Sequence, residues 1–164
     1  MSGAPFRLAP LDATHDRALF RCDSEPLSRY LREQVTQDIR RRVAACFVAL
    51  ADERRIAGYY TLASASLLLA DLPVSTDKKL PRYPTVPAVR MGRLAVDQAF
   101  MGQGLGGALL ADALDRAVRS EIAAYAMMVD AKDEVAADFY RHHGFIALPN
   151  SPLSLFLPLA TVQS

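Results

Sequence analysis

The sequence predicts an α/β fold in one domain, with a mixed sheet flanked by helices. Three observations support this prediction. The chain has 164 residues, of which 51% are apolar and 23% are charged, and this suits a single globular core. Segments with the apolar pattern of strands alternate with amphipathic helical segments. A nearly all-apolar run from Ile122 to Val129 is typical of a strand buried within a sheet.

The elements of the first half follow from local signals. Phe6 to Leu8 predicts a short edge strand. Ser24 or Asp23 is suited to cap a helix with Pro26 in its first turn. That helix carries Leu27, Tyr30, Leu31, Val35 and Ile39 at helical spacing and ends in the basic triplet Arg40, Arg41 and Arg42. Strands are then expected at Val43 to Leu50 and Ile56 to Leu69, joined by a polar hairpin connection.

The second half begins with a proline-rich loop, Leu72 to Pro87, and continues with alternating strands and helices. The predicted strands are Val89 to Val96, Ile122 to Val129, Phe145 to Leu148 and Leu153 to Leu159. The predicted helices are Leu105 to Val118, which is amphipathic, and Glu134 to His143, which Gly144 closes. No repeat or internal linker interrupts the chain, so residues 1–164 are expected to form one domain.

Composition excludes several classes of protein. No run reaches 18 apolar residues and the N-terminus lacks the apolar core of a signal peptide, so neither a membrane span nor secretion is expected. The two cysteines, Cys22 and Cys46, lie apart among residues that do not bind metals, so no metal site or disulfide framework is predicted. A reducing, cytoplasmic location follows as the expectation.

The net charge of +1 conceals an uneven distribution. Asp77 to Arg93 holds five basic residues and one acid, whereas Asp97 to the end holds four basic residues and eight acids. Arginine is the dominant cation, a bias that fits either phosphate recognition or a GC-rich genome. A near-neutral chain with such a basic segment can still meet a polyanion.

The stretch from Gly92 to Leu110 is the most informative part of the chain. A strand leads into Gly102, Gly104, Gly106 and Gly107, and these glycines open a helix. Such a loop suits phosphate, because unpaired backbone N–H groups and the positive end of the helix dipole face the anion. A purely structural glycine loop is one alternative. A dinucleotide-binding loop is another, although the glycines follow the strand too late and too few residues follow Asp130.

A second motif, Ala136-Ala137-Asp138-Phe139-Tyr140-Arg141-His142-His143-Gly144-Phe145, follows the buried strand. Together with Leu94-Ala95-Val96 and Met101-Gly102-Gln103-Gly104-Leu105-Gly106, it resembles the GNAT acetyltransferase family in order and spacing. The resemblance implies the GNAT fold, with a mixed, mostly antiparallel central sheet in which parallel strands 4 and 5 splay apart. Acetyl-CoA is the cofactor that it implies.

The resemblance also implies a role for each motif. Pantetheine is expected to bond to the backbone of Leu94, Ala95 and Val96, and Phe139 to lie along it. The pyrophosphate is expected at the N–H groups of Met101, Gly102, Gln103, Gly104, Leu105, Gly106 and Gly107. Two departures stand out, because Met101 replaces the usual Arg or Gln, and Lys132-Asp133-Glu134 replaces a familiar Asn.

Tyr140 is the predicted catalytic residue, as an acid for the leaving thiolate, with a core tyrosine as the alternative. Many relatives carry a Glu general base on the strand before the loop, but Arg90 to Val96 contains no carboxylate. An amine with a low pKa needs no such base. An α-amine, with a pKa of about 7.7 to 8.0 against about 10.4 for lysine, fits, and one beside an ester fits better.

A closer resemblance covers nearly the whole chain, through segments such as Pro26 to Leu31, Ala57 to Leu62 and Leu80 to Pro84. These are similar to the GNAT toxins of type II toxin–antitoxin systems. The resemblance implies acetylation of aminoacyl-tRNA, which blocks translation, and a ribbon-helix-helix antitoxin that supplies all DNA binding. A homodimer is a further possibility, with Leu153 to Leu159 as an apolar edge.

The tRNA phosphates then have a predicted set of basic contacts. These are Arg40, Arg41, Arg42, Lys78, Lys79, Arg82, Arg90 and Arg93. Charge pairing at a helix end is the alternative for the triplet, and a structural partner is the alternative for Arg90 or Arg93. His142 and His143 receive no role. The competing functions are a GNAT enzyme for a protein N-terminus or small amine, and a CoA-binding module without catalysis.

Overall fold

The computed structural model describes residues 6–77, 80 and 83–162 of the chain. The strands in this part are β1 (Arg7–Pro10), β2 (Ala45–Leu50), β3 (Ile56–Leu68), β4 (Thr85–Val96), β5 (Ala126–Asp130), β6 (Ile146–Leu148) and β7 (Ser151–Pro158). The helices are α1 (Glu25–Arg29), α2 (Val35–Arg40), α3 (Val74–Asp77), α4 (Leu105–Arg119) and α5 (Glu134–His142). A π-helical segment, Tyr30–Gln34, joins α1 to α2.

The strands form one sheet in the order β1-β2-β3-β4-β5-β7-β6. Pairing is antiparallel between β1, β2 and β3, and again between β5, β7 and β6. β4 pairs with β5 in parallel from Ala88 to Met91, whereas β4 itself runs on to Val96. The expected mixed, mostly antiparallel sheet with parallel strands 4 and 5 is confirmed.

The chain divides into two compact units, of which the first comprises Met1–Ala63 and Gly92–Ala113. Its core is aromatic at the centre, where the ring of Tyr59 lies 5.4 Å from Phe20 and 6.4 Å from Tyr30, centroid to centroid. The Tyr59 hydroxyl donates to the carbonyl of Leu27 at 2.7 Å, which ties α1 to β3. Aliphatic side chains from α1 to β3 surround these rings, and their burial supplies the main stabilisation of this unit.

The first helix begins as the sequence predicts but does not continue regularly. The side-chain oxygen of Ser24 accepts from the Leu27 N–H at 3.4 Å, and Pro26 occupies the first turn. The π-helical segment then adds one residue to a turn, a local feature that apolar spacing does not reveal. Ile39, expected on the buried face, is 38% exposed.

Arg42 follows α2 in the left-handed region, with φ of 60°. Glycine is the usual residue there, because a Cβ makes this conformation costly by about 1–2 kcal/mol. We expect Arg42→Gly to raise the free energy of unfolding by about 0.5–1 kcal/mol, since the gain exceeds the extra entropy of glycine in the unfolded chain. Urea unfolding measures the change. Arg42→Ala, which loses the charge but keeps the Cβ, should give no gain, and an equal gain would contradict the strain.

The second compact unit comprises Ser64–Met91 and Leu114–Ser164. Its core contains Leu67, Leu69, Leu72, Val86, Ala88, Ala126, Met128, Leu148 and Phe156. β7 lies between β5 and β6, so the expectation that Leu153 to Leu159 forms an apolar edge is wrong. Pairing on both sides covers this strand, and the sheet ends at β6 instead.

Two strands start four residues away from their predicted positions. The run from Ile122 enters the sheet only at Ala126, and Ile122 itself is 83% exposed after a turn in which its N–H donates to the Ser120 hydroxyl. The proline-rich loop contains the short helix α3, and β4 already begins at Thr85. Apolar character alone therefore predicted the start of β5 too early and the start of β4 too late.

Candidate functional site

The glycine loop lies between the end of β4 and the start of α4. Gly102 and Gly104 have φ of 79° and 77°, a conformation that other residues rarely adopt. A Cβ built on either glycine meets nothing within 4 Å, so the space above the loop is open. The Ala108 N–H donates to the Gly104 carbonyl at 3.2 Å, and the N–H groups that precede Ala108 in α4 have no acceptor within the helix. The loop can therefore receive an anion.

Asp97 anchors the segment between the strand and the glycines. Its buried carboxylate accepts from the backbone N–H groups of Arg21 and Ala99, both at 2.9 Å, and from the Arg55 guanidinium at 3.4 Å. Arg55 also lies over the Phe100 ring, 5.3 Å from its centroid. This capped turn separates the strand from the glycines, unlike the abrupt turn of a dinucleotide-binding loop. Asp97 was not predicted to have a role, although its position directly after the strand was a usable signal.

Gly58 on β3 lets α4 approach the sheet closely. A Cβ at this position would lie 2.8 Å from Leu109 Cδ1 and 3.0 Å from the Ala95 carbonyl oxygen. The second contact is with backbone, which cannot move aside as a side chain does. The absence of a side chain at Gly58 therefore fixes where the first turn of α4, and with it the glycine loop, lies against β3 and β4.

Tyr140 lies on α5, whose position is set at both of its ends. Asp133 caps the N-terminus by accepting from the Ala136 N–H at 2.9 Å, and Gly144 with φ of 95° follows the C-terminus. The Tyr140 ring is buried and contacts Phe139 and Phe145 at 5.2 and 5.5 Å between centroids. Its hydroxyl has no hydrogen-bond partner among the described residues, and burial raises its pKa to about 12.

The raised pKa of Tyr140 gives a prediction about pH. The hydroxyl stays protonated in the folded protein until the pH approaches about 12, whereas an unfolded tyrosine ionises near 10. The stability that this group contributes is present below pH 10 and is lost as the pH rises towards 12. We expect the absorbance difference at 295 nm between the wild type and Tyr140→Phe to titrate well above pH 10. A midpoint near 10 would show that the hydroxyl is fully solvated.

The basic residues predicted from sequence do not share one environment. Arg40, Arg41 and Arg42 are exposed at the end of α2 and form no ion pair with any described residue. Arg90 pairs with Asp130, whose other oxygen accepts from the Ser154 hydroxyl at 2.8 Å. Arg93 instead lies over the ring of Tyr30. Lys78, Lys79 and Arg82 lie outside the described residues.

The remaining predicted residues lie on β4, in the glycine loop and on α5. Ala95 is buried, Leu94 and Val96 are half-buried, and Met101 and Gln103 are exposed at the loop. Phe139 is half-buried, and its ring contacts that of His143 at 4.8 Å between centroids. No Asp or Glu occurs in β4. Among the described residues, no cluster of His, Cys, Asp and Glu could hold a metal ion.

No helix in the described part of the chain is long and apolar enough to cross a membrane.

Comparison with known proteins identifies a family and similar proteins. The family model for the acetyltransferase (GNAT) domain matches residues 42–147. The tRNA-acetylating toxin of Mycobacterium tuberculosis (strain ATCC 25618 / H37Rv) is 37% identical over 161 residues, which cover 96% of this chain and 93% of the relative.

Two solved structures are also similar over almost the whole chain. AtaT complexed with acetyl-methionyl-tRNAfMet has a TM-score of 0.88 at 32% identity, covering 95% of this chain and 96% of that one. A mutant AtaT toxin bound to the C-terminus of the antitoxin AtaR and to acetyl-CoA has a TM-score of 0.81 at 26% identity, covering 96% of both chains. The likeness therefore extends well beyond the matched family domain.

Proposed function

Because the chain belongs to the GNAT acetyltransferase family, we propose that it transfers the acetyl group of acetyl-CoA to the α-amino group of aminoacyl-tRNA and so blocks translation. The observation that carries the proposal is the open glycine loop, which joins the end of β4 to the N-terminus of α4. The relatives support the acceptor, since one is named a tRNA-acetylating toxin and another is solved with acetyl-methionyl-tRNAfMet.

The residues present fit acetyl-CoA. Gly102 and Gly104 leave open space where side chains would otherwise project, and the first N–H groups of α4 are free of helical acceptors. These groups suit the pyrophosphate, and Leu94 to Val96 offer strand backbone to the pantetheine amides. Met101 supplies no charge, so backbone N–H groups provide the main contacts. When bound, acetyl-CoA supplies an activated thioester.

The acceptor follows from what β4 lacks. A lysine amine needs a base to lose its proton near neutral pH, and no carboxylate occurs from Thr85 to Val96. The α-amine of an aminoacyl ester has a lower pKa and is already partly neutral. An acceptor of this kind reacts without a general base on the strand, and aminoacyl-tRNA provides it.

Tyr140 is the residue that we assign to acid catalysis. Its hydroxyl, held in the protonated state by the raised pKa, can donate a proton to the leaving thiolate, and the proton that the attacking nitrogen loses restores the hydroxyl. The hydroxyl has no competing hydrogen bond to a described residue, and contacts with Phe139 and Phe145 fix the ring. We assign Phe139 to the wall beside the pantetheine arm.

The proposal also covers the residues that bind tRNA, the antitoxin partner and the state of the active chain. The basic residues Arg40, Arg41, Arg42, Lys78, Lys79, Arg82 and Arg93 are assigned to tRNA phosphates, whereas the pairing of Arg90 with Asp130 favours the structural alternative for that residue. A cognate ribbon-helix-helix antitoxin neutralises the toxin and supplies DNA binding. The active chain is a single domain that acts in the cytoplasm and forms homodimers.

The decisive experiment uses purified protein with pooled aminoacyl-tRNA and labelled acetyl-CoA. We expect acetylated aminoacyl-adenosine after nuclease digestion, identified by mass spectrometry, which also names the amino acid. Peptides with free N-termini and small amines serve as parallel acceptors. Acetylated peptide with unmodified tRNA would favour the N-terminal or small-amine enzyme, and acetyl-CoA binding without any transfer would favour a non-catalytic module.

A further inference from the structure

The guanidinium of Arg93 packs over an aromatic ring. Its guanidinium carbon lies 3.5 Å from the centroid of Tyr30, within the range of a cation–π contact. The side chain is half-buried and forms no ion pair with any described residue. Since a partly buried cation without a counter-ion is costly, the position calls for an explanation.

The other partly buried arginines in the same unit direct their N–H donors to oxygen atoms of the protein. Arg17 donates to the Leu31 carbonyl at 3.4 Å and to the Thr36 hydroxyl at 2.8 Å. Arg32 pairs with Glu25 at 2.8 Å, and Arg55 pairs with Asp97 at 3.4 Å. A carboxylate occupies the edge of the guanidinium, where the N–H donors lie. A ring instead occupies the face, so the N–H donors of Arg93 stay available for a planar, bidentate anion such as phosphate.

Tyr30 is itself held firmly. The residue is 3% exposed, its ring stacks on Tyr59 with 16° between the planes, and its hydroxyl donates to Asp38 at 2.8 Å. The π-helical segment explains the last contact. Eight residues of regular helix would place positions 30 and 38 about 80° apart, and the added residue brings them nearly into line. The fold therefore fixes the surface on which Arg93 rests.

We propose that Tyr30 is a positioning residue, which holds the Arg93 guanidinium ready for a phosphate of the tRNA acceptor strand. The inference rests on the proposed function. A phosphate of acetyl-CoA is the other source of the same chemistry, but the glycine loop that suits it begins beyond Val96. Val96 lies three residue steps beyond Arg93, about 10 Å along the strand, so the phosphate that reaches Arg93 comes from the acceptor.

The test compares variants in three measurements: KM for aminoacyl-tRNA, direct tRNA binding as a function of salt, and the Kd of acetyl-CoA. Arg93→Met is expected to raise KM about tenfold and to reduce the salt slope of tRNA binding by about one, with acetyl-CoA affinity within about twofold. Tyr30→Leu should raise KM about fivefold, and Tyr30→Phe and Asp38→Asn about twofold. Arg54→Met, which removes an exposed arginine of the β2–β3 connection, is the charge-matched control.

A double variant separates positioning from general damage. If Tyr30 acts through Arg93, Tyr30→Leu adds nothing to the KM of Arg93→Met. Additive effects would show that Tyr30 supports the fold alone. Because Tyr30 is buried, Tyr30→Phe combined with Arg93→Met gives the same comparison if the leucine variant does not fold.

Other outcomes would overturn the inference in distinct ways. If Arg93→Met leaves KM and the salt slope unchanged, Arg93 does not contact a tRNA phosphate. If the variant instead weakens acetyl-CoA binding, the phosphate that Arg93 contacts belongs to the cofactor. Failure of the proposed function shows separately, as wild-type protein that forms no acetylated aminoacyl-tRNA. In that case the salt slope of direct tRNA binding still decides whether Arg93 contacts RNA.

Discussion

Tyr140→Phe should lower kcat for acetyl transfer to aminoacyl-tRNA by about 10²–10⁴-fold, with little change in either KM. The substitution removes only the hydroxyl, which has no hydrogen-bond partner among the described residues, and leaves the ring contacts with Phe139 and Phe145 intact. The loss therefore falls on proton donation and not on packing. Steady-state kinetics with both substrates, and growth of cells that express the variant, measure the effect.

Tyr125→Phe is the matched control for this substitution. Tyr125 is a half-buried tyrosine of the same compact unit as Tyr140, and burial also raises the pKa of its hydroxyl. We expect its kcat to stay within about twofold of wild type. Equal kcat values for the Tyr140 variant and the wild type would remove Tyr140 from the chemistry and restore its interpretation as a core residue of α5.

Gly104→Ala should weaken acetyl-CoA binding at least about tenfold. The Cβ would enter the open space that we assign to the pyrophosphate, and the φ of 77° would strain the loop by about 1–2 kcal/mol. Calorimetric titration with acetyl-CoA measures the affinity, and thermal unfolding measures the strain.

Gly144→Ala separates these two effects. Gly144 has a φ of 95°, and its added Cβ would make only an ordinary contact, 3.7 Å from Leu157 Cδ1. This variant should lose comparable stability and keep its affinity for acetyl-CoA. Equal losses of affinity in both variants would mean that backbone strain, and not the space above the loop, governs binding.

The parts of the fold that depend on local signals were predictable from the sequence. Ser24 acts through its side-chain oxygen, and Gly102, Gly104 and Gly144 act through backbone conformation. Each acts within a few residues, so their positions could be inferred directly. The parallel pairing of β4 with β5 followed from the family resemblance, and it agrees with the register at Ala88 to Met91.

Features that depend on distant residues were not predictable in this way. The stacking of Arg93 on Tyr30 joins residues far apart in the chain, and the π-helical segment that orients Tyr30 carries no composition signal. The apolar pattern of Leu153 to Leu159 is the same for an interior strand as for an edge, so only the strand order reveals that β7 is paired on both sides. Basic character likewise could not distinguish Arg90, which pairs with Asp130, from the exposed triplet after α2.

The carboxylate of Asp97 also couples the local unfolding of two segments that lie far apart in the sequence, one at Arg21 and one at the base of the glycine loop. The Arg21 N–H lies outside any helix or strand, yet its hydrogen bond ends on a buried oxygen of Asp97. Exchange of that amide with solvent requires the base of the glycine loop to open, so both segments belong to one cooperative unit. A slowly exchanging amide at Arg21 would therefore indicate that the base of the glycine loop rarely unfolds.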